Sequence, residues 1–230
     1  MMKRTICLLF ILLVALTGNA ALADHKQAVP AGAVAAHFLA RISIFGPTDP
    51  PELVGYYAFI EGIPGPFFDG PPGVGTAFFT LRFHAGPPPI ALDPGSDVFV
   101  NLLPPGATVD VYFDESPNQD WGNLETFSDG KLIATFEESA LLNTAVGDPL
   151  FGPGTIYNLF SAKLIFSKRF RFHGKSVDFK KLFPNGLTTN NFGSTIPVAD
   201  PLPGSFLTHA FSGSSIAIGG ERRRRDKDDD

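Results

Sequence analysis

The stretch FDESPNQDW, residues 113–121, contains the densest group of side chains with the chemistry to bind a ligand. It holds three carboxylates, an amide and the only tryptophan of the chain: Asp114, Glu115, Asp120, Asn118 and Trp121. Carboxylate and amide oxygens suit a hard cation such as Ca²⁺, whereas a flat indole ring suits a sugar. A third alternative is an ordinary turn, in which these side chains hydrogen-bond to the neighbouring backbone.

The spacing of the oxygen ligands partly matches a calcium loop. Positions 1, 3, 5, 7, 9 and 12 of such a loop correspond to Asp114, Ser116, Asn118, Asp120, Gly122 and Glu125. The match is incomplete because Gln119 occupies position 6, where the loop needs glycine, and Pro117 lies within it. The turn is therefore the favoured interpretation. A calcium site at these residues and a sugar site at Asp120 and Trp121 are the alternatives.

A cluster of basic residues lies further along the chain. Lys and Arg occupy six positions in one short segment: Lys168, Arg169, Arg171, Lys175, Lys180 and Lys181. Alternation in RFRFH places Arg169, Arg171 and His173 on one outward face of a strand, and the following HGK is typical of a hairpin turn. Such a stripe suits phosphate or sulfate groups of an envelope polymer. It also protects an exposed strand from edge-to-edge pairing, which is the favoured interpretation.

Sequence signatures of catalysis are nearly absent. The chain lacks a GxSxG elbow, an HExxH helix and a phosphate-binding glycine loop. Its five histidines are scattered, and Glu137 and Glu138 are expected to point to opposite faces at the end of a strand. We therefore predict no catalytic residue and no cofactor other than the alternative Ca²⁺. An isomerase or cyclase that uses one His or Glu in a Phe-lined barrel is the enzymatic alternative.

The first 23 residues have the three parts of a secretory signal peptide. Two basic residues precede an apolar run over residues 6–16, and ALA at residues 21–23 is a small-x-small cleavage site. The run is shorter than the ~20 apolar residues of a membrane span. We expect a secreted or periplasmic protein, cleaved near Ala23, with no transmembrane segment in the mature chain. Because the only cysteine, Cys7, leaves with the signal, core burial alone must stabilise the mature domain.

Alternation of apolar and polar residues predicts an all-β fold. The alternating segments are TAFFTLRF, ATVDVYF, LIATF, SAKLIF and RFRFH. Segments such as GIPGPFFDGPPGVG and AGPPPIALDPGSD separate the strands, and their prolines make them loops. About ten strands are predicted in a single antiparallel barrel or sandwich over residues 24–220. Residues 31–40 fit either a short helix or the first strand, and residues 114–130 are expected to connect two neighbouring strands.

Composition and charge limit the function further. Phenylalanine occupies 23 positions, and filling a core is favoured over lining a ligand cavity. The chain has 18 Lys and Arg against 23 Asp and Glu, a net charge of −5, so nucleic acid is not an expected partner. The last ten residues, 221–230, predict a disordered charged tail. These observations favour an exported β-domain that binds an envelope polymer, a glycan or a small apolar ligand without catalysis.

Overall fold

The structure, a computed structural model, describes residues 28–46, 49–92, 94, 98–147 and 154–219. The predicted signal peptide and charged tail lie outside the described residues. The strands are β1 (Val34–Ile44), β2 (Glu52–Ile60), β3 (Phe79–His84), β4 (Ile90–Leu92), β5 (Val98–Leu103), β6 (Thr108–Phe113), β7 (Lys131–Gly147), β8 (Gly154–Ser167), β9 (Phe170–Phe172), β10 (Lys175–Val177), β11 (Leu187–Ser194) and β12 (Leu207–Ala217). Helix α1 is Phe179–Leu182, and 3-10 turns cover Val74–Thr76 and Leu124–Phe127. Within the described ranges, no helix has the length and hydrophobicity needed to cross a membrane.

Eight strands form a closed antiparallel barrel. The order of hydrogen-bonded neighbours is β7–β6–β3–β2–β1–β12–β11–β8, and β8 pairs with β7 to close the ring. Closure leaves these strands without an exposed sheet edge. Strands β5 and β4 extend the sheet outside the ring, because β5 pairs with the second half of β7. The all-β prediction is confirmed, and of its two architectures the structure is the barrel.

Three segments differ from the sequence-based expectation or resolve it. Residues 34–40, part of the segment that fitted either a helix or a strand, belong to β1. Strand β4 interrupts a segment expected to be a loop; it is three residues long, exposed, and pairs with β5 at the sheet edge. Strand β7 does not end near Glu138 but continues to Gly147. On one side β7 pairs with β6 up to Glu137 and with β5 from Leu141, and on the other side its register with β8 shifts between Glu138 and Leu141.

A hairpin and a single helical turn cover the end of the barrel at which β3 begins and β6 ends. We call residues 168–186 the plug. Its strands β9 and β10 pair as the sequence predicts, through a turn in which His173 and Gly174 have φ angles of 46° and 76°. The inward side of the plug contributes buried apolar side chains to the core: Phe170, Phe172, Val177, Phe179, Leu182 and Phe183.

Phenylalanine rings fill the interior beneath the plug. The rings of Phe79 and Phe113 are stacked with centroids 5.4 Å apart. Phe172 of the plug lies 5.0 Å from the Phe79 centroid and 5.6 Å from that of Phe113. The core-filling prediction is confirmed for these rings. The two best-formed clefts among the described residues are open to solvent, and Phe38 and Phe192 are the only phenylalanines that line either of them.

Candidate functional site

The connection from β6 to β7, residues 114–130, lies across the outer face of the barrel. Its flanking strands are antiparallel neighbours, as the sequence predicts. Thr80 on β3 donates a hydrogen bond to the carbonyl of Phe127 at 2.7 Å, and Phe127 is fully buried. Arg82 on β3 donates to the Ser128 hydroxyl at 2.9 Å. These contacts fix the second half of the connection to the barrel wall.

The only tryptophan packs within this connection. The Trp121 ring lies 4.9 Å from the Phe127 centroid and 6.2 Å from that of Tyr56. The guanidinium carbon of Arg41 lies 4.6 Å from the Trp121 centroid, within cation–π range. The ring is therefore engaged in packing, which supports the interpretation of this stretch as a turn. Sugar binding at Asp120 and Trp121 stays a prediction.

Two of the predicted calcium ligands cap tight turns. The Asp114 carboxylate accepts a hydrogen bond from the Ser116 N–H at 2.8 Å. The Asp120 carboxylate accepts one from the Gly122 N–H at 2.9 Å. Aspartate commonly shapes turns by bonding a backbone N–H two residues ahead. Asp114 and Asp120 thus serve the backbone, as the favoured interpretation of this stretch predicts.

Two further predicted ligands, Asn118 and Glu125, have side-chain partners. The Asn118 amide donates to the carboxylate of Asp129 at 3.0 Å. Glu125 forms an ion pair with Arg82 at 3.0 Å. In the described part of the chain, no three His, Cys, Asp or Glu side chains are close enough to hold a metal ion. Calcium binding stays a prediction, and each of the four side chains Asp114, Asn118, Asp120 and Glu125 has a different polar partner.

We expect Asp114→Ala to lower the free energy of unfolding by about 1 kcal/mol in calcium-free buffer, because the Ser116 N–H loses its acceptor. Urea unfolding measures the change. The control is Glu115→Ala, which removes only an exposed ion pair with Lys131 and should change stability by less than about 0.5 kcal/mol. Millimolar Ca²⁺ should leave both curves unchanged. A calcium-dependent gain that is lost in both Asp114→Ala and Glu125→Ala would instead establish the metal loop.

The predicted basic residues lie on the outside of the plug. Arg169 and Arg171 are exposed and alternate with the buried Phe170 and Phe172. His173 is also exposed, and it occupies the turn that follows β9. Its ring lies 4.1 Å from the Phe172 centroid, and its Nε2 is 3.4 Å from the Pro66 carbonyl oxygen. The plug therefore exposes both arginines and His173, and the His173 ring also contacts its neighbours.

Ion pairing distinguishes the plug from the remaining surface. Every described Lys or Arg outside the plug has a carboxylate within 4.0 Å: Arg41, Arg82, Lys131 and Lys163. On the plug only Arg169 has one, Asp178, at the limiting distance of 4.0 Å. The other five plug cations have no carboxylate within that distance among the described residues. We call the six cations, Lys168, Arg169, Arg171, Lys175, Lys180 and Lys181, the basic plug surface.

The local charge of this surface is opposite to that of the whole chain. Residues 168–181 contain six Lys or Arg and one Asp, a net charge of +5, whereas the chain has −5. The single acid, Asp178, also caps helix α1 by accepting from the Lys180 N–H at 3.0 Å. The arrangement concentrates exposed positive charge, with a single acid in the same segment, on residues whose apolar neighbours are buried in the core. Such a surface attracts polyanions and is sensitive to ionic strength.

Comparison with protein-family models, with curated proteins and with solved structures finds no match to this chain. The inferences about function therefore depend on the geometry and chemistry of its own residues.

Two buried titratable side chains are not among the predicted site residues. Glu138 on β7 is 3% exposed, its Oε2 has no hydrogen-bond partner, and burial raises the pKa of its carboxyl to about 7. Burial also lowers the pKa of the His209 imidazole, an effect that the backbone of Ile196 partly offsets. The opposite orientation of Glu137 and Glu138 is confirmed, since Glu137 pairs with Lys163 at the surface. Residues two apart on a strand point to the same face. Because Phe136 is buried, this spacing could have predicted from the sequence that Glu138 points inward.

Proposed function

We propose that this protein binds an anionic polymer, one that carries sulfate or phosphate groups, through the basic plug surface and without catalysis. The observation that carries the proposal is the contrast in ion pairing. The described Lys and Arg residues outside the plug are all paired with carboxylates, whereas five of the six on the plug have no carboxylate within 4.0 Å among the described residues. Unpaired cations on one surface retain their full attraction for an external polyanion.

The anchoring of the plug also supports binding. Phe170 and Phe172 fix strand β9 to the core from its inner side, so the backbone that carries Arg169 and Arg171 is ordered before a ligand arrives. Less conformational entropy is then lost on binding. Arg side chains present a planar fork of donors that matches sulfate and phosphate oxygens. The proposal includes export from the cytoplasm, which the 23-residue N-terminal pattern favours and which would bring the plug into contact with envelope polymers.

The enzymatic alternative has weaker support. It required a Phe-lined cavity that contains a His or a carboxylate. The rings of Phe79, Phe113 and Phe172 instead contact one another, and the cleft that Glu138 lines has no phenylalanine in its wall. The proposed ligands include glycans that carry anionic groups.

The test compares retention and affinity on dextran sulfate with those on neutral dextran. We expect Arg169→Ser/Arg171→Ser to weaken binding to dextran sulfate by roughly tenfold, because two exposed charge contacts contribute about 0.5–1 kcal/mol each. Binding of the unaltered chain should weaken steeply as salt rises. Thermal unfolding of the variant should be unchanged, since both arginines are exposed.

The matched control removes the same amount of positive charge elsewhere. Lys131→Ser/Lys163→Ser deletes two exposed cations that are each paired with a carboxylate. This control should bind dextran sulfate nearly as well as the unaltered chain. Equal losses in the two double variants would mean that net charge alone governs retention. Unchanged retention of the arginine variant would leave the plug cations with only the role of protecting a strand edge.

A further inference from the structure

An open cleft of about 430 Å³ lies where β7 changes its partner from β6 to β5. Its wall is formed by the residues just before β6, by parts of β7 and β8, by the end of the plug and by the residue after β12. These segments contribute, among others, Pro105, Gly106, Glu138, Ala162, Asn185 and Ile218. Its volume is within the range of sites for small molecules. The cleft is separate in sequence from the basic plug cations.

Glu138 is the unusual member of this wall. Its side chain is 3% exposed, and its Oε2 has no hydrogen-bond partner among the described residues. Its neighbour on β8 is Ala162, and the residue opposite Ala162 on β11 is Leu187. On the β6 side, the Glu138 N–H donates to the carbonyl of Ala107 at 2.8 Å. The residues that follow Glu138 across the sheet on this side are thus apolar, and a buried polar atom without a partner is costly.

The other polar side chains of the wall already have partners. Glu137 and Lys163 form an ion pair at 2.5 Å. Ser139 donates to the carbonyl of Ser161 at 2.9 Å, and Asn185 donates to the carbonyl of Ile218 at 3.4 Å. Among the described residues, Glu137 on β7 and Lys163 on β8 are the only other titratable groups that line the cleft. The residues that line the cleft before β6 and at Asn185 and Ile218 are not titratable. Among the described wall residues, the Glu138 carboxyl group is thus the one with a buried oxygen that has no hydrogen-bond partner.

We propose that the Glu138 cleft binds a small organic cation, an ammonium group on an apolar body, with the ammonium group at the Glu138 carboxylate. Charge-assisted N–H···O bonds would satisfy the carboxylate, and the apolar wall would cover the body of the ligand. An anion is disfavoured because Glu137 and Lys163 neutralise each other, which leaves the ionised Glu138 as the net charge of the cleft. This proposal is independent of polyanion binding by the plug, because the two sites attract ligands of opposite charge.

Binding is coupled to the release of a proton. Near neutral pH, a substantial fraction of Glu138 is protonated, because burial raises the pKa of its carboxyl to about 7. An ammonium ligand stabilises the carboxylate, so the carboxyl proton passes to solvent as the ion pair forms. The ammonium group keeps its own protons, and charge balances through the released proton. Affinity should therefore rise with pH until Glu138 is fully ionised.

The probe is benzylammonium, and calorimetric titration measures its binding. Benzyl alcohol is the neutral control of the same shape, and benzoate is the anionic control. We expect saturable binding of benzylammonium alone, weaker by roughly thirtyfold at about pH 5.5 than at about pH 8, which is the ratio of the ionised fractions of Glu138. The Glu138 carboxyl resonance should titrate at lower pH when benzylammonium is present.

The matched variants are Glu138→Gln and Glu115→Gln. Glu138→Gln removes the charge while keeping the shape, so it should abolish the pH dependence and most of the affinity. Glu115→Gln removes an exposed carboxylate outside the cleft, one that is paired with Lys131, and should retain both. The proposal is overturned by equal affinity for benzyl alcohol, by full affinity in Glu138→Gln, or by an absence of saturable benzylammonium binding at millimolar concentration. An unchanged Glu138 titration with and without benzylammonium also overturns it, and this readout needs no variant.

Discussion

Glu138→Gln is expected to stabilise the protein by about 3 kcal/mol at alkaline pH and to have almost no effect near pH 4. The folded pKa of the carboxyl is about 7, against 4.5 for the ordinary group. Between these values the folded state keeps the proton that the unfolded state has lost. Stability of the unaltered chain therefore falls as pH rises through this window, and the penalty is complete above pH 7. Glutamine does not ionise and avoids the penalty.

Denaturant unfolding of both proteins across this pH window measures the difference directly. His209 also titrates, and its lowered pKa costs stability as pH falls through the unfolded value of 6.5. This contribution is common to both proteins, so it cancels in the difference. Glu137→Gln is the control, and its effect should be small and nearly constant with pH. A Glu138→Gln effect that does not change with pH would show that the carboxyl is not buried as described.

The second large effect is expected in the phenylalanine core, where Phe79→Ala should cost about 3–5 kcal/mol. Phe79 is fully buried. Its centroid lies within 6 Å of four other rings, those of Phe67, Phe113, Phe170 and Phe172. Truncation leaves a cavity that these rings can fill only in part. The melting temperature should fall by roughly 10 °C, and thermal unfolding followed by circular dichroism measures it.

Phe192→Ala is the matched control for the core prediction. Phe192 lies on β11 with its side chain 58% exposed. The same chemical truncation there should change the free energy of unfolding by less than about 0.5 kcal/mol. Similar losses for the two variants would contradict the separation between a packed interior and an exposed outer wall.

Local patterns predicted the strands well where one face is polar. In TVDVYF of β6, Val111 and Phe113 are buried and Tyr112 between them is less so, as alternation requires. Strand β8 shows why the pattern alone was insufficient elsewhere. Its Tyr157 and Leu159 are exposed although apolar, while Asn158 between them faces Asn143 and Asn191 on the neighbouring strands. Which face of β8 is buried is decided by closure of the barrel, a long-range property.

Some features of the candidate sites likewise follow from local sequence patterns, and others depend on long-range pairing. The exposure of Arg169 and Arg171 follows from alternation within one short strand, so sequence was enough to predict it. His173 is exposed as well, although it lies in the turn after the strand, with a left-handed φ of 46°. The burial of Glu138 depends on β7 continuing past it, with different partners before and after the register shift. Those pairings join segments far apart in the chain, and no local pattern encodes them.

The most direct test of the proposed function is to map where a polyanion contacts the protein. Amide resonances in ¹⁵N-labelled protein should be followed while a short sulfated oligosaccharide is added at low salt, with a neutral oligosaccharide of the same length as control. Polyanion binding by the basic plug surface predicts saturable shifts concentrated in residues 168–181, which are lost at high salt and reduced in Arg169→Ser/Arg171→Ser. Shifts centred on another surface, or no saturable shifts with the sulfated ligand, would contradict it.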